Sequence, residues 1–299
     1  ALKRGYFTTN ELVDMKQLFK TIIKALPTPV RLQIDTAQLL FRQRALFDLS
    51  NAKYRSQERN SFVEKCVSSL ATDGFIVLPD YKSREWCSEA RKELLDVMSS
   101  GMSKTSTDED DRVFGAEKVC AKASEFAHDE FLLEVAKAHA RSEERLMFCM
   151  ANRVSYKGGV TWGSGGDWHR DGFRREMKAM LYLTDVEIED GPFSLIRGSH
   201  LASSIFHDVS LVKHVGDASG VSGARLGKLG DVIAQKSPDR GVKFLAPQGT
   251  VILFDTSTIH SGQPPRKGGK DRLALTNYYV DSASFESALD YYRPRVKLN

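Results

Sequence analysis

The feature that most constrains this chain is a change of texture at Arg145. Six short strand-like segments follow it: Leu146–Ser155, Met177–Val186, Phe193–Ile196, Val242–Leu245, Thr250–Phe254 and Arg272–Val280. Gly, Pro, Asp and Asn punctuate them, and no helical periodicity alternates with them. Parallel strands need long crossovers, usually helical, whereas antiparallel strands need only turns. The pattern therefore predicts an antiparallel all-β core and disfavours a parallel βαβ sheet. The one long interruption, 201–240, is rich in glycine (Gly216, Gly220, Gly223, Gly227, Gly230). An insertion of that length in a compact domain is more often a functional cover than a plain connector, so it is read as a lid.

Before Arg145 the chain reads as helices. Leu12, Met15, Leu18, Phe19, Ile22, Ile23 and Leu26 recur at helical spacing. Thr8 and Glu11 offer a capping box, and Pro27 and Pro29 end the run. Further helices are predicted over 31–49, 60–73 and 83–98, with a strand at Phe75–Pro79. The polar stretch 101–112, with Asp108, Glu109, Asp110 and Asp111, reads as an exposed loop. His128 and His139 sit in helical surroundings and read as surface or packing residues. The expected organisation is a helical extension over 1–59, through which copies could associate, and a β-core domain over 60–299.

Composition excludes several classes. A net charge of +4 over 299 residues is too small to mark a nucleic-acid binder. No apolar run is long enough for a transmembrane helix. The cysteines Cys66, Cys87, Cys120 and Cys149 are scattered, form no CxxC pair, and suit reduced thiols in the cytoplasm. The chain opens on Ala1 rather than Met, which fits a trimmed start, and no signal-peptide core follows.

Two stretches carry chemistry. In Trp168-His169-Arg170-Asp171-Gly172-Phe173, an imidazole and a carboxylate stand two residues apart. On extended backbone such residues project to one face and can share an ion. Far downstream, the buried-strand pattern Gly249–Phe254 leads through a turn to His260-Ser261-Gly262. Two histidines and one carboxylate on one side of a metal leave positions open opposite them, which suits non-heme Fe(II). Arg272 opens the last strand and shares a face, by alternation, with Ala274, Thr276 and Tyr278. A guanidinium there is suited to two-point pairing with a carboxylate inside a barrel.

Together these pieces resemble the phytanoyl-CoA dioxygenase-like family of Fe(II)/2-oxoglutarate-dependent oxygenases. The resemblance covers roughly 60–280. It runs through Thr72–Pro79, Trp168–Asp171, Met180–Val186, Asp190-Gly191-Pro192-Phe193, Arg197-Gly198-Ser199-His200, Phe254–Gly262 and Arg272. It implies a mainly β fold with flanking helices, built on a double-stranded β-helix (jelly-roll, cupin-like) core. It implies iron ligands His169, Asp171 and His260, with Arg272 binding the far carboxylate of 2-oxoglutarate. Relatives often place a serine two positions after the second histidine; here Gly262 stands there, so Ser261, Thr276 or water takes over the hydroxyl contact, or the contact is absent. Ser155 is a further candidate for the cosubstrate. His200 lies in a turn that contributes no metal ligand in the family, and His207 and His214 of the lid are given no metal role. Asp185 and Asp255 end strands and are read as turn residues.

The reaction so implied consumes O2 and 2-oxoglutarate, releases succinate and CO2, and hydroxylates an aliphatic C–H of a small molecule. Halogenating relatives replace the ligand carboxylate, and Asp171 is present here. Two other readings stay open at this point: a non-catalytic β-barrel binding or scaffold protein, and a cupin-type metalloenzyme that does not use 2-oxoglutarate. Arg174 and Arg175, at the expected barrel mouth, are candidates to bind an anionic substrate. Arg170 points away from the metal face and is read as structural or as pairing with Asp167 or Glu176.

Overall fold

The structure is a computed structural model that describes residues 21–23, 25–45, 60–102, 104–107, 110–156, 166–211 and 228–292. The helix expected to end at Leu26, with its Thr8–Glu11 cap, lies mainly outside the described residues. So do 46–49, His214 and the middle of the proposed lid, 212–227.

Ten strands are described. In chain order they are β1 (Phe75–Leu78), β2 (Lys104–Thr107), β3 (Asp110–Phe114), β4 (Glu144–Val154), β5 (Met177–Tyr182), β6 (Phe193–Ile196), β7 (Gly241–Lys243), β8 (Val251–Asp255), β9 (His260–Gly262) and β10 (Arg272–Asp281). They form a seven-stranded sheet in the order β1-β8-β5-β10-β4-β3-β2 and a three-stranded sheet in the order β7-β6-β9. Every pairing is antiparallel. The expected strands match this core to within a few residues at their ends. The expected exposed loop at 101–112 does not: part of it forms β2 and β3, and Asp110 is buried. Its carboxylate accepts from Arg112 Nε at 2.6 Å and Asn152 Nδ2 at 3.2 Å, which compensates the charge that burial removes from water.

Eight helices are described: α1 (Thr28–Leu40), α2 (Ser61–Thr72), α3 (Arg84–Val97), α4 (Ala121–Ala127), α5 (Glu130–Ala140), α6 (Ala202–Ser210), α7 (Lys228–Lys236) and α8 (Phe285–Tyr292). Side chains alternate across a strand, so each face of the large sheet takes one set. Leu273 and Leu275 of β10, Ala179 and Leu181 of β5, and Val251 and Leu253 of β8 pack against the apolar faces of α2 to α5. The other set, including Ala274, Tyr182, Ile252 and Phe254, packs with Phe193 and Leu195 of β6 from the small sheet. The two sheets thus face one another across an interior. Local signals set the helix starts: Asn60 caps α2, Ser83 caps α3 and Asp129 caps α5, each accepting a backbone N–H of the first turn. At the α2–β1 corner Gly74 has φ +88°, and a β-carbon there would run into Thr258 and His200. That corner is thereby pressed against the segment leading into His260.

Helices α6 and α7 lie at the two ends of the glycine-rich stretch, where a lid was expected. Val209, Leu211 and Ile233 pack with Leu32 of α1, Ile259 and the half-buried Trp168. All four cysteines are buried and unbridged. Among the described residues no helix is long and apolar enough to cross a membrane.

Candidate active site

His169 and His260 sit directly opposite each other. Each backbone N–H donates to the other's carbonyl, at 3.0 and 2.9 Å, and the imidazole centroids are 4.3 Å apart. Both rings are oriented by the same local device. Nδ1 of His169 is 2.7 Å from the Asp167 carbonyl, and Nδ1 of His260 is 2.8 Å from the Thr258 carbonyl. A carbonyl can only accept, so Nδ1 carries the proton and Nε2 presents a lone pair. Asp171 is tied by its backbone N–H to the Thr256 carbonyl at 3.0 Å, and its Oδ1 is 3.7 Å from Nε2 of His169. One donor atom from each of His169, Asp171 and His260 lies within 4.8 Å of the other two. Among the described residues, no other group of three or more His, Cys, Asp or Glu side chains is close enough to hold an ion.

Burial would raise the carboxyl of Asp171, but Lys178 and the two imidazoles outweigh it and hold the group well below the usual carboxylate range. Lys178, on β5, is buried and donates from Nζ to Oδ2 of Asp171 at 2.5 Å. The loop after Asp171 is clamped from the N-terminal side. Arg44, in the wide helical turn after α1, donates to the carbonyls of Phe173 (2.6 Å) and His200 (2.8 Å) and to Ser257 Oγ (2.7 Å). Gln43 accepts from the Phe173 N–H at 3.0 Å.

Arg272 begins β10 and is only 5% exposed. Ala274, two residues along on the same face, packs in the interior between the sheets. Nη1 of Arg272 is buried with no hydrogen-bond partner. Burial pulls its pKa below the ordinary guanidinium value, and Tyr182, Asp110 and Asp190 are the groups that oppose this. A cation withdrawn from water with an unsatisfied donor is costly, unless it waits for an anion that completes it. The residues therefore fit both a divalent metal and a carboxylate ligand.

Other expected residues fall as follows. Thr276 is buried in the Arg272–Ala274 row. Ser261 is buried with its hydroxyl donating to the Gly166 carbonyl. Ser155 is half-buried, one residue beyond Val154, which pairs with Arg272. Arg174 pairs with Asp281 at 3.3 Å, and Arg175 is half-buried. His200 stays out of the cluster, its Nε2 3.1 Å from the Ala71 carbonyl.

Two expectations need correction. Of the two readings of Arg170 the pairing fails and the structural one agrees: it meets neither Asp167 nor Glu176 and is buried against Asp208 of α6 at 3.2 Å and the carbonyls of Ser199 and Ser257. Asp255 does accept from the Ser257 N–H, as a turn residue would, but it also meets His139 Nε2 at 2.9 Å, both side chains fully buried. Lys178, Arg44 and the His139–Asp255 contact were not found from sequence. A lone lysine within the apolar run Met177–Tyr182 was the one available signal.

An antiparallel two-sheet core thus carries a His-Asp-His cluster able to hold a metal, with a buried arginine opening its last strand. The sequence profile of the phytanoyl-CoA dioxygenase (PhyH) family matches residues 70–272. The chain belongs to that family, and it is an iron- and 2-oxoglutarate-dependent oxygenase that uses O2. It is 26% identical over 254 residues to an ectoine dioxygenase of Stutzerimonas stutzeri (strain A1501), a match spanning 77% of this chain and 82% of that protein. Its fold is similar to that of SnoN, a non-heme α-ketoglutarate-dependent epimerase from nogalamycin biosynthesis, with a TM-score of 0.54, 18% identity and coverage of 74% and 84% of the two chains. It is also similar to HygX from Streptomyces hygroscopicus, solved with nickel and 2-oxoglutarate, with a TM-score of 0.53, 18% identity and coverage of 73% and 87%.

Proposed function

We propose that the chain hydroxylates an aliphatic C–H of a small molecule, with His169, Asp171 and His260 as the iron ligands and Arg272 as the anchor for 2-oxoglutarate. The observation that carries this reading is the pairing of two preoriented Nε2 atoms and an ionised carboxylate with an unsatisfied buried guanidinium. Iron with 2-oxoglutarate supplies the oxidising power, consuming O2 and releasing succinate and CO2. The chain's own part is placement. The two backbone carbonyls fix the imidazole tautomers, Arg272 holds the cosubstrate's far carboxylate, and Thr276 and Ser155 stand near enough in the strand order to line its path. Phe193 and Phe254, with ring centroids 5.8 and 5.3 Å from that of His260, make the wall on that side of the centre apolar.

We read the two facing sheets as a double-stranded β-helix and the 201–240 segment as its cover. The packing of α6 and α7 onto Ile259 and Trp168, next to the ligand histidines, supports the cover. A small-molecule substrate accords with the similarity to ectoine dioxygenase and to the antibiotic-pathway enzyme SnoN. The intact Asp171 favours hydroxylation over halogenation, and the mass of the product separates hydroxylation from the epimerisation and ring closure named for neighbours on this fold. The test is succinate release across a metabolite library with mass analysis of the product. A product heavier by one oxygen atom supports the reading, and a product of unchanged or reduced mass refutes the hydroxylation step.

A further inference from the structure

Lys178 is a conspicuous expense in this fold. It is 7% exposed, in the middle of the large sheet, where a lone ammonium is strongly disfavoured. Its cross-strand neighbours are Tyr278 on β10 and Phe254 on β8, and the ammonium lies 4.0 Å from the Tyr278 ring centroid. Phe148 stacks on the far side of that cluster, 4.6 Å from Tyr278. The walls are thus aromatic, and the anion it meets is Asp171, through Oδ2. The two oxygens of Asp171 are therefore in different situations. Oδ2 is bound to Lys178, while Oδ1 is the oxygen 3.7 Å from Nε2 of His169.

We propose that Lys178 is a positioning residue that holds Asp171 to one-oxygen ligation and so keeps a coordination position free for 2-oxoglutarate or O2. This rests on the metal-centre reading above. A free carboxylate beside a divalent cation can bind through one oxygen or both. Two-oxygen binding would occupy a position that the cosubstrate needs. The ammonium acts against this in two ways: it makes a short charge-assisted bond to Oδ2, and its positive charge opposes approach of the metal to that side. The cation–π contact with Tyr278 steadies the ammonium without offering a competing acceptor.

The test compares wild type with Lys178→Met, which keeps the length and removes the charge, at saturating Fe(II) without oxygen. Two quantities are read: the dissociation constant of 2-oxoglutarate and the visible charge-transfer band of the Fe(II)–2-oxoglutarate complex. The variant should bind 2-oxoglutarate at least about tenfold more weakly, with a displaced or diminished band. A residue that only supports the fold would leave the band where it is. A smaller loss with an unmoved band overturns the proposal. If Lys178→Met does not fold, the wild-type protein decides through its crystal structure with metal bound. One Asp171 oxygen on the metal and the other on Lys178 supports the proposal; both oxygens on the metal, or Lys178 turned away, overturns it. Asp171→Ala separates the two levels. If it binds metal as wild type does, the metal-centre reading has failed; if it loses metal while Lys178→Met behaves as wild type, only the role of Lys178 has.

Discussion

Replacing Arg272 with Met should move stability and cosubstrate binding in opposite directions. Met preserves most of the volume and removes a charge that is 5% exposed with an unpaired Nη1. Without ligand, an unsatisfied buried polar group costs about 1–3 kcal/mol, so the variant should be more stable by that order. At roughly 2–4 °C per kcal/mol, its melting point should rise by several degrees. With 2-oxoglutarate the sign reverses. Losing the charged partner of a buried carboxylate costs about 2–5 kcal/mol, or roughly 30- to several-thousandfold in affinity. Wild type at 100 times its dissociation constant gains about 2.7 kcal/mol from the ligand, and the variant should gain at most about 0.9 kcal/mol. In thermal melts of both proteins with Mn(II), the rise on adding 2-oxoglutarate should therefore be at least about threefold smaller in the variant. If Arg272→Met melts several degrees lower without ligand, or keeps the full ligand-induced rise, the arginine supports the fold and the cosubstrate anchor lies elsewhere.

Other expectations follow from the same geometry. Burial pushes the Glu144 carboxyl up to about 7, with Ser142 opposing through a hydrogen bond. The folded state then holds a proton that the unfolded chain releases above its ordinary value, so stability is fullest at low pH and falls as pH rises through about 7. Glu144→Gln should flatten that decline between pH 5 and 8 in denaturant titrations; an unchanged slope would contradict it. His139→Leu leaves Asp255 buried with its Ser257 contacts alone and should cost about 3 kcal/mol, or about 10 °C in melting, while metal affinity changes little. Equal melting points would contradict it. Arg174→Ala opens the Asp281 pair and should cost under about 1 kcal/mol. Steady-state kinetics would show an unaltered KM for a neutral substrate, and a raised KM would reveal a contact with the substrate itself.

Sequence reasoning reached the strands because alternation and turn residues are local signals. It singled out His169, Asp171 and His260 from their residue types and the family resemblance, and the structure brings those three side chains together. It missed what depends on partners far along the chain. The acidic run at Asp110 looks solvated until Asn152, 42 residues on, meets it across β4. Asp255 looks like a turn residue until His139, 116 residues away, arrives from α5. Arg170 finds Asp208 on α6, a helix that the glycine-rich reading of 201–240 had obscured. Lys178 belongs to a regular strand, and only its place opposite Asp171 gives its charge a purpose.

The central claim is that His169, Asp171 and His260 hold one iron and that 2-oxoglutarate joins it there. Anaerobic titration of the purified protein with Fe(II) and then 2-oxoglutarate tests this most directly. The account predicts a visible charge-transfer band that saturates at one iron and one 2-oxoglutarate per chain, is lost in His169→Ala and His260→Ala, and is retained in His200→Ala. No band in wild type, or a band that survives His260→Ala and disappears in His200→Ala, would contradict it.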